Sequence, residues 1–214
     1  MTETTKNRVP PWLRNILEMD KKLTKSIVDR ADKFITLRSL RLQYKALEIS
    51  CHGIPWLAFW IAFTWLFNDS SLIQLQVNML LGLLLDIVIV AICKAYFRRR
   101  RPLLNTDDKF GQLGPDVYSF PSGHCSRAVF VLYFFTRLWP APIIFIPPLL
   151  AWVFSICASR LLMHRHYLLD ILGGILLGLL EGGVMDILWL SDSSAKFLMS
   201  FLSDEKIDGG DYHV

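Results

Sequence analysis

Three short stretches of the chain hold residues whose types and spacing suit the binding and transfer of an anion. The first is Lys94 followed by Arg101-Pro102. On a helix that spacing is about two turns, which would point Lys94 and Arg101 the same way. Two convergent cations make an anion site, and the planar fork of arginine suits the oxygens of a phosphate. Read alone, Arg98-Arg99-Arg100-Arg101 is also an ordinary positive cluster ending a membrane segment. The second stretch is Pro121-Ser122-Gly123-His124. Proline at a first helical position pre-sets φ, and Ser122 and Gly123 leave backbone N–H groups to face an anion. His124 is one step further in, placed to donate or accept a proton; the plainer reading is a turn followed by a satisfied histidine. The third stretch is Ser159-Arg160, then His166, then Asp170. On a helix His166 and Asp170 share a face, so the carboxylate can accept the ring N–H. That pairing fixes the tautomer and leaves the other nitrogen free to attack. Arg160 adds a third cation; the competing reading of Asp170 is a helix cap.

The elements that must position these residues are apolar. Of 214 residues, 53% are hydrophobic, gathered into long runs rather than stripes. About 20 apolar residues cross a bilayer core, and five segments qualify: roughly 46–67, 77–97, 121–137, 140–161 and 168–190. The sequence therefore predicts an all-α, integral-membrane helical bundle of about five transmembrane helices. Gly174, Gly178 and Gly182 recur every fourth residue, a face on which another helix can approach closely. Before the bundle, Trp12, Ile16, Met19, Leu23, Ile27, Ala31 and Phe34 mark one face of a basic amphipathic helix with Lys21, Lys22, Lys25 and Lys33 off that face. Such a helix suits the membrane interface, or packs on the rest of the protein. Ala195–Leu202 is apolar but short, an interfacial helix. Asp86, Glu181 and Asp186 lie within apolar spans, where hydrogen bonding inside the bundle or proton supply would explain them.

The organisation expected is a basic N-terminal tail with its helix (1–45), a membrane domain (46–190) and an acidic tail (191–214) with Asp192, Asp204, Glu205, Asp208 and Asp211. The first apolar run begins behind a long charged stretch, unlike a cleavable signal peptide. With five spans the N-terminus, the 98–120 loop and the 162–167 loop share one side. Lys and Arg favour that side, which the positive-inside rule makes cytosolic. The formal net charge of +4 carries no nucleic-acid recognition module with it. Cys51, Cys93, Cys125 and Cys157 stand singly and read as packing residues.

Together, Lys94-x6-Arg101-Pro102, Pro121-Ser122-Gly123-His124 and Ser159-Arg160-x5-His166-x3-Asp170 resemble the three-part signature of the type 2 phosphatidic-acid phosphatase superfamily. That group includes lipid phosphate phosphatases, bacterial acid phosphatases and vanadium haloperoxidases. The resemblance implies a metal-independent phosphohydrolase, without cofactor, acting on a lipid phosphate at the membrane. It implies that His166 attacks phosphorus, Asp170 orients it, and His124 protonates the leaving oxygen and then activates water. Lys94, Arg101, Arg160, Ser122 and Gly123 would hold the phosphoryl oxygens; Arg127 and Ser159 would stand behind them, Arg127 alternatively touching a second phosphate. His164 and His166 lack the carboxylate or cysteine cluster of a metal site.

The long N-terminal extension, the compact layout and Arg127-Ala128 are most similar to the type-6 phospholipid phosphatase branch of presqualene diphosphate phosphatases. That branch implies polyisoprenoid diphosphates such as presqualene, farnesyl and geranylgeranyl diphosphate, in endoplasmic reticulum and nuclear envelope. Phosphatidic acid, lysophosphatidic acid and sphingosine 1-phosphate are the alternative substrates. Partners are then membrane lipids and the lipid phosphate itself, with homo-oligomers compatible. Competing classes are a vanadate-dependent haloperoxidase, a non-catalytic lipid-binding scaffold, and a transporter; for the last, neither an inverted repeat nor a broken helix is expected.

Overall fold

The computed structural model describes residues 10–34, 40–67, 69–102 and 117–201, and every regular element in them is helical. Most of the expected 98–120 loop and the tail acids Asp204, Glu205, Asp208 and Asp211 lie outside the described residues. The helices are α1 (Pro11–Phe34), α2 (Arg41–Ser50), α3 (Gly53–Leu66), α4 (Ile73–Phe97), α5 (Gly123–Tyr133), α6 (Ile146–Leu162), α7 (Leu168–Ile187) and α8 (Asp192–Ser200). A five-residue π turn, Phe134–Leu138, continues α5, and a 3-10 turn, Ile143–Phe145, leads into α6.

Three described helices are long and apolar enough to cross a membrane: α4, α6 with its leading turn, and α7. The pair α2 and α3, bent by 51°, is a fourth if counted as one. The outward residues of these helices are apolar, including Trp65, Phe154, Leu176, Leu180 and Ile187, while Asp86, Arg127 and Glu181 are buried. Apolar outside and charge inside is the arrangement a lipid solvent selects. Asp186, grouped with Asp86 and Glu181 by sequence, is instead exposed.

The expected third span is the bundle's centre. Cys125 to Val131 are all buried as α5 packs between α4, α6 and α7. Its most extensive partner is α7, across the glycine face. A Cβ on Gly174 would lie 2.5 Å from the Ser122 carbonyl oxygen, and one on Gly178 would collide with the carbonyl of Ser126. Below, Trp60, Met79, Leu83, Phe130, Phe134 and Met185 form the main apolar core.

The expected first span is broken. Pro55 has no N–H to give the Cys51 carbonyl four residues back. The helix stops, His52 takes an extended conformation, and its Nδ1 accepts from the Ile54 N–H at 3.3 Å. Arg127 supplies the missing donor, Nη1 to the Cys51 oxygen at 3.0 Å. The continuous apolar run hid this break, so the expectation of no broken helix is corrected here.

The face of α1 marked by Trp12, Ile16, Met19 and Leu23 is exposed. What docks on the bundle is the neighbouring stripe Asp20, Thr24 and Val28, all buried. Val28 packs with Cys125, Leu161 and Ile171. At the other end α8 packs on α4, with Ala195 fully buried.

Candidate active site

His166 lies in the link between α6 and α7, not on a helix as its spacing to Asp170 suggested. The chain leaves α6 through a tight turn in which His164 adopts φ 53°. The Arg160 carbonyl then accepts the N–H groups of Arg165 at 3.1 Å and His166 at 3.3 Å. This folds the link back and buries His166 to 3% exposure. Its Nδ1 is 2.8 Å from the Ser119 carbonyl oxygen. A carbonyl can only accept, so Nδ1 carries the proton and Nε2 holds the lone pair. Asp170 is not the ring's hydrogen-bond partner: its Oδ2 stands 3.8 Å from Nδ1 and accepts the Tyr167 N–H at 2.8 Å, capping α7. Its Oδ1 accepts from Arg99 Nη1 at 2.8 Å. Both readings of Asp170 thus hold in part: a helix cap, and a carboxylate beside the histidine.

The cations come to this histidine from two directions. Lys94 is buried on the last turn of α4. Arg101 does not continue that helix, as the two-turn argument assumed. Arg98 closes α4 in the left-handed region at φ 50°, its N–H returning to the Lys94 carbonyl. Beyond it the chain runs extended, with Arg100 bridging Tyr118 and Arg99 O accepting the Ser119 N–H at 2.7 Å. That pairing carries Arg101 and Ser119 together toward His166. Arg160, 1% exposed on the last turn of α6, is paired with Glu48 of α2 at 3.2 Å. Burial first, then Arg101, Lys94 and Arg160, push the His166 pKa well below its ordinary 6.5, against the opposing Ser119 bond.

Pro121 precedes α5 rather than opening it; Ser122 is the N-cap residue. Its backbone N–H donates to the Asp170 carbonyl at 3.0 Å, which joins the second stretch to the third. That N–H is therefore not free for an anion, but the buried Ser122 Oγ has no hydrogen-bond partner. The N–H groups of Gly123 and His124 belong to the first turn of α5, which lacks intrahelical acceptors. His124 Nε2 is likewise buried without a partner. His166 and Arg160 lie within electrostatic reach of His124. Its ring stands edge-on to His52, centroids 6.0 Å apart.

Two expected site residues do not join this cluster. Ser159 Oγ donates to its own helix, at Ile156 O, 2.8 Å away. Arg127 is committed to Asp86 Oδ2 and to the Cys51 carbonyl. Ser126 Oγ donates to Glu181 Oε2 at 2.9 Å, so Asp86, Arg127, Ser126 and Glu181 form one buried polar group beneath His124. Ser119, Arg99, Glu48 and Asp20 were missed by sequence reasoning. Only the Arg99 charge had a signal, hidden among four consecutive arginines.

The chain is similar to known proteins. A family model described as the PAP2 superfamily matches residues 75–189. The probable lipid phosphate phosphatase beta of Arabidopsis thaliana is 34% identical over 133 residues, covering 49% of this chain and 61% of that protein. The crystal structure of Aquifex aeolicus LpxE superposes with a TM-score of 0.50 at 20% identity, covering 68% of this chain and 84% of that one. The latter likeness is one of fold.

Proposed function

The chain belongs to the PAP2 superfamily, and on that premise we propose that it is a membrane phosphohydrolase that removes phosphate from lipid phosphates through a phosphohistidine. The observation that carries this reading is the Ser119 carbonyl on His166 Nδ1. It leaves a neutral imidazole with a free Nε2 lone pair, in a ring on which Lys94, Arg101 and Arg160 act electrostatically. Similarity to a probable lipid phosphate phosphatase supports the substrate class, although the chain spans 61% of that protein's length.

In the first step His166 Nε2 bonds to phosphorus as the P–O bond to the lipid breaks. His124 gives its proton to the leaving oxygen. Asp170, 3.8 Å from Nδ1, stabilises the positive charge that develops on the ring. Lys94, Arg101, Arg160, Ser122 Oγ and the Gly123 N–H hold the phosphoryl oxygens as charge shifts onto them. A bound phosphate also offsets the charge of Arg160 near His124, which favours the imidazolium that an acid needs. In the second step His124 takes a proton from water, the oxygen attacks phosphorus, and the P–N bond breaks to release inorganic phosphate. Three fixed cations supply the charge neutralisation that Mg²⁺ provides in other phosphoryl transfers, so the mechanism calls for no metal.

Polyisoprenoid diphosphates are the favoured substrates, on the N-terminal extension and the compact layout shared with the type-6 branch. The Arg127-Ala128 that follows the second stretch is the third feature behind that choice, and Arg127 is paired with Asp86. The exposed apolar stripe of α1, with lysines beside it, suits a helix lying in the headgroup layer. By the positive-inside argument the site faces the cytosol, and by the branch the membrane is endoplasmic reticulum and nuclear envelope. The test is phosphate release by purified wild-type and His166→Ala protein in detergent with EDTA, farnesyl diphosphate compared with phosphatidic acid. The expected result is EDTA-resistant release, lost in the variant and faster with farnesyl diphosphate. Faster release from phosphatidic acid would move the substrate to glycerolipids; none from either, with folded protein, would leave a scaffold or transporter.

A further inference from the structure

Asp20 is a carboxylate on α1, 6% exposed, far in sequence from the residues that match the family model. Its Oδ2 lies 2.6 Å from Arg99 Nη2, while Arg99 Nη1 lies 2.8 Å from Asp170 Oδ1. One guanidinium therefore bridges two carboxylates through the two ends of its fork. The Arg99 plane is also fixed from one side, with its Cζ 4.3 Å from the centre of the Tyr167 ring. The other Asp20 oxygen accepts the Leu169 N–H at 3.1 Å, and Thr24 Oγ1 accepts the Leu168 N–H at 3.1 Å. Two side chains of α1 thus serve as caps for the start of α7, satisfying donors that the helix itself leaves open.

The charge count gives this geometry a consequence. A guanidinium against Asp170 alone would cancel the negative charge that the His166 imidazolium needs. With Asp20 on the other side, the two carboxylates and one guanidinium sum to one net negative charge within this trio, which faces His166 through Asp170, apart from the cations Lys94, Arg101 and Arg160. We propose that Asp20 is a positioning residue of the active site: through Arg99 it holds Asp170 in place and keeps the Asp20–Arg99–Asp170 trio net negative where it faces the attacking histidine. The amphipathic helix α1 is then part of the active site as well as a membrane contact. This inference rests on the proposed roles of His166 and Asp170.

The test is a double-mutant cycle on the full-length protein in detergent, with thermal unfolding followed for each variant. Asp20→Asn keeps one acceptor, for the Leu169 N–H, and replaces the oxygen that faces Arg99 with an amide NH2, so that the charge and the ion pair are lost together. Its kcat is expected to fall about tenfold, one pKa unit of lost imidazolium stabilisation, with KM little changed and Asp20→Glu recovering much of the loss. In the Arg99→Gln background Asp20→Asn is expected to cause no further fall, because its influence runs through Arg99. A wild-type kcat in Asp20→Asn, or losses that multiply in the double variant, overturns the proposal. Where Asp20→Asn does not fold, Arg99→Lys asks the same question: it keeps the charge but lacks the fork, and a wild-type kcat there is equally fatal. His166→Ala, run alongside, separates the two levels: if it keeps activity, the histidine mechanism fails rather than the role of Asp20.

Discussion

His166 sits in surroundings that oppose its own positive charge. Burial contributes most, and Arg101, Lys94 and Arg160 add to it, so the ring stays neutral to well below pH 6.5. A nucleophile must be neutral to attack, and kcat/KM reports the free enzyme. The acidic limb of kcat/KM assigned to His166 should therefore lie below 6.5; a limb at or above that value would contradict this environment. The same shift bears on stability. The unfolded histidine takes its proton near 6.5 and the folded one only further down, so stability is lost as pH falls between those two values. At this scale the sequence was informative about which side chains gather at this end of the bundle, because Lys94, Arg101, His124, Arg160, His166 and Asp170 are charged or titratable groups in an apolar chain. It was silent on the Ser119 carbonyl, since a backbone acceptor leaves no mark in residue type. It also credited Asp170 with that bond on helical spacing, whereas the link before α7 is not helical.

The helices set the distance between the two histidines. α5 carries Ser122, Gly123 and His124, α7 carries Asp170, and the two meet over Gly174 and Gly178 with backbone against side-chain-free backbone. A branched side chain at Gly178 would push α5 away from α7 and shift His124 relative to His166. A displacement of about 1 Å can cost on the order of a hundredfold in rate. Gly178→Val should therefore lose most kcat/KM in the phosphate-release assay. Gly183→Val, on the same helix with nothing within 4 Å of its Cβ position, should retain it. Equal activity in the two would show that this helix contact does not position the site. The glycine spacing was legible as a close-packing face. The break before α3 was legible too, in Pro55, but the unbroken apolar run outweighed it. What could not be read was that Arg127 takes over the donor role that Pro55 gives up, because that pairing joins distant segments.

Across the molecule, the C-terminal ends of α4 and α6 and the N-terminal ends of α5 and α7 gather at one end of the bundle. Cations from the first pair thus meet the open N–H groups and histidines at the start of the second pair. Hydropathy made the membrane bundle legible, and alternation of helix direction placed the three stretches at the same end. It did not reveal that α5 is buried centrally, since length and composition look alike for a span facing lipid and one surrounded by protein. Nor did it show that α1 reaches back to this end through Asp20. The proposed mechanism requires one thing above all, a covalent bond between phosphorus and His166. The decisive measurement is rapid quenching in alkaline detergent of the purified protein with a lipid phosphate carrying radioactive phosphorus, followed by peptide mapping at alkaline pH. The account predicts label that is lost in acid and kept in base, on the peptide containing His166, and absent in His166→Ala. Label on another residue, or phosphate released at the wild-type rate by His166→Ala, would contradict it.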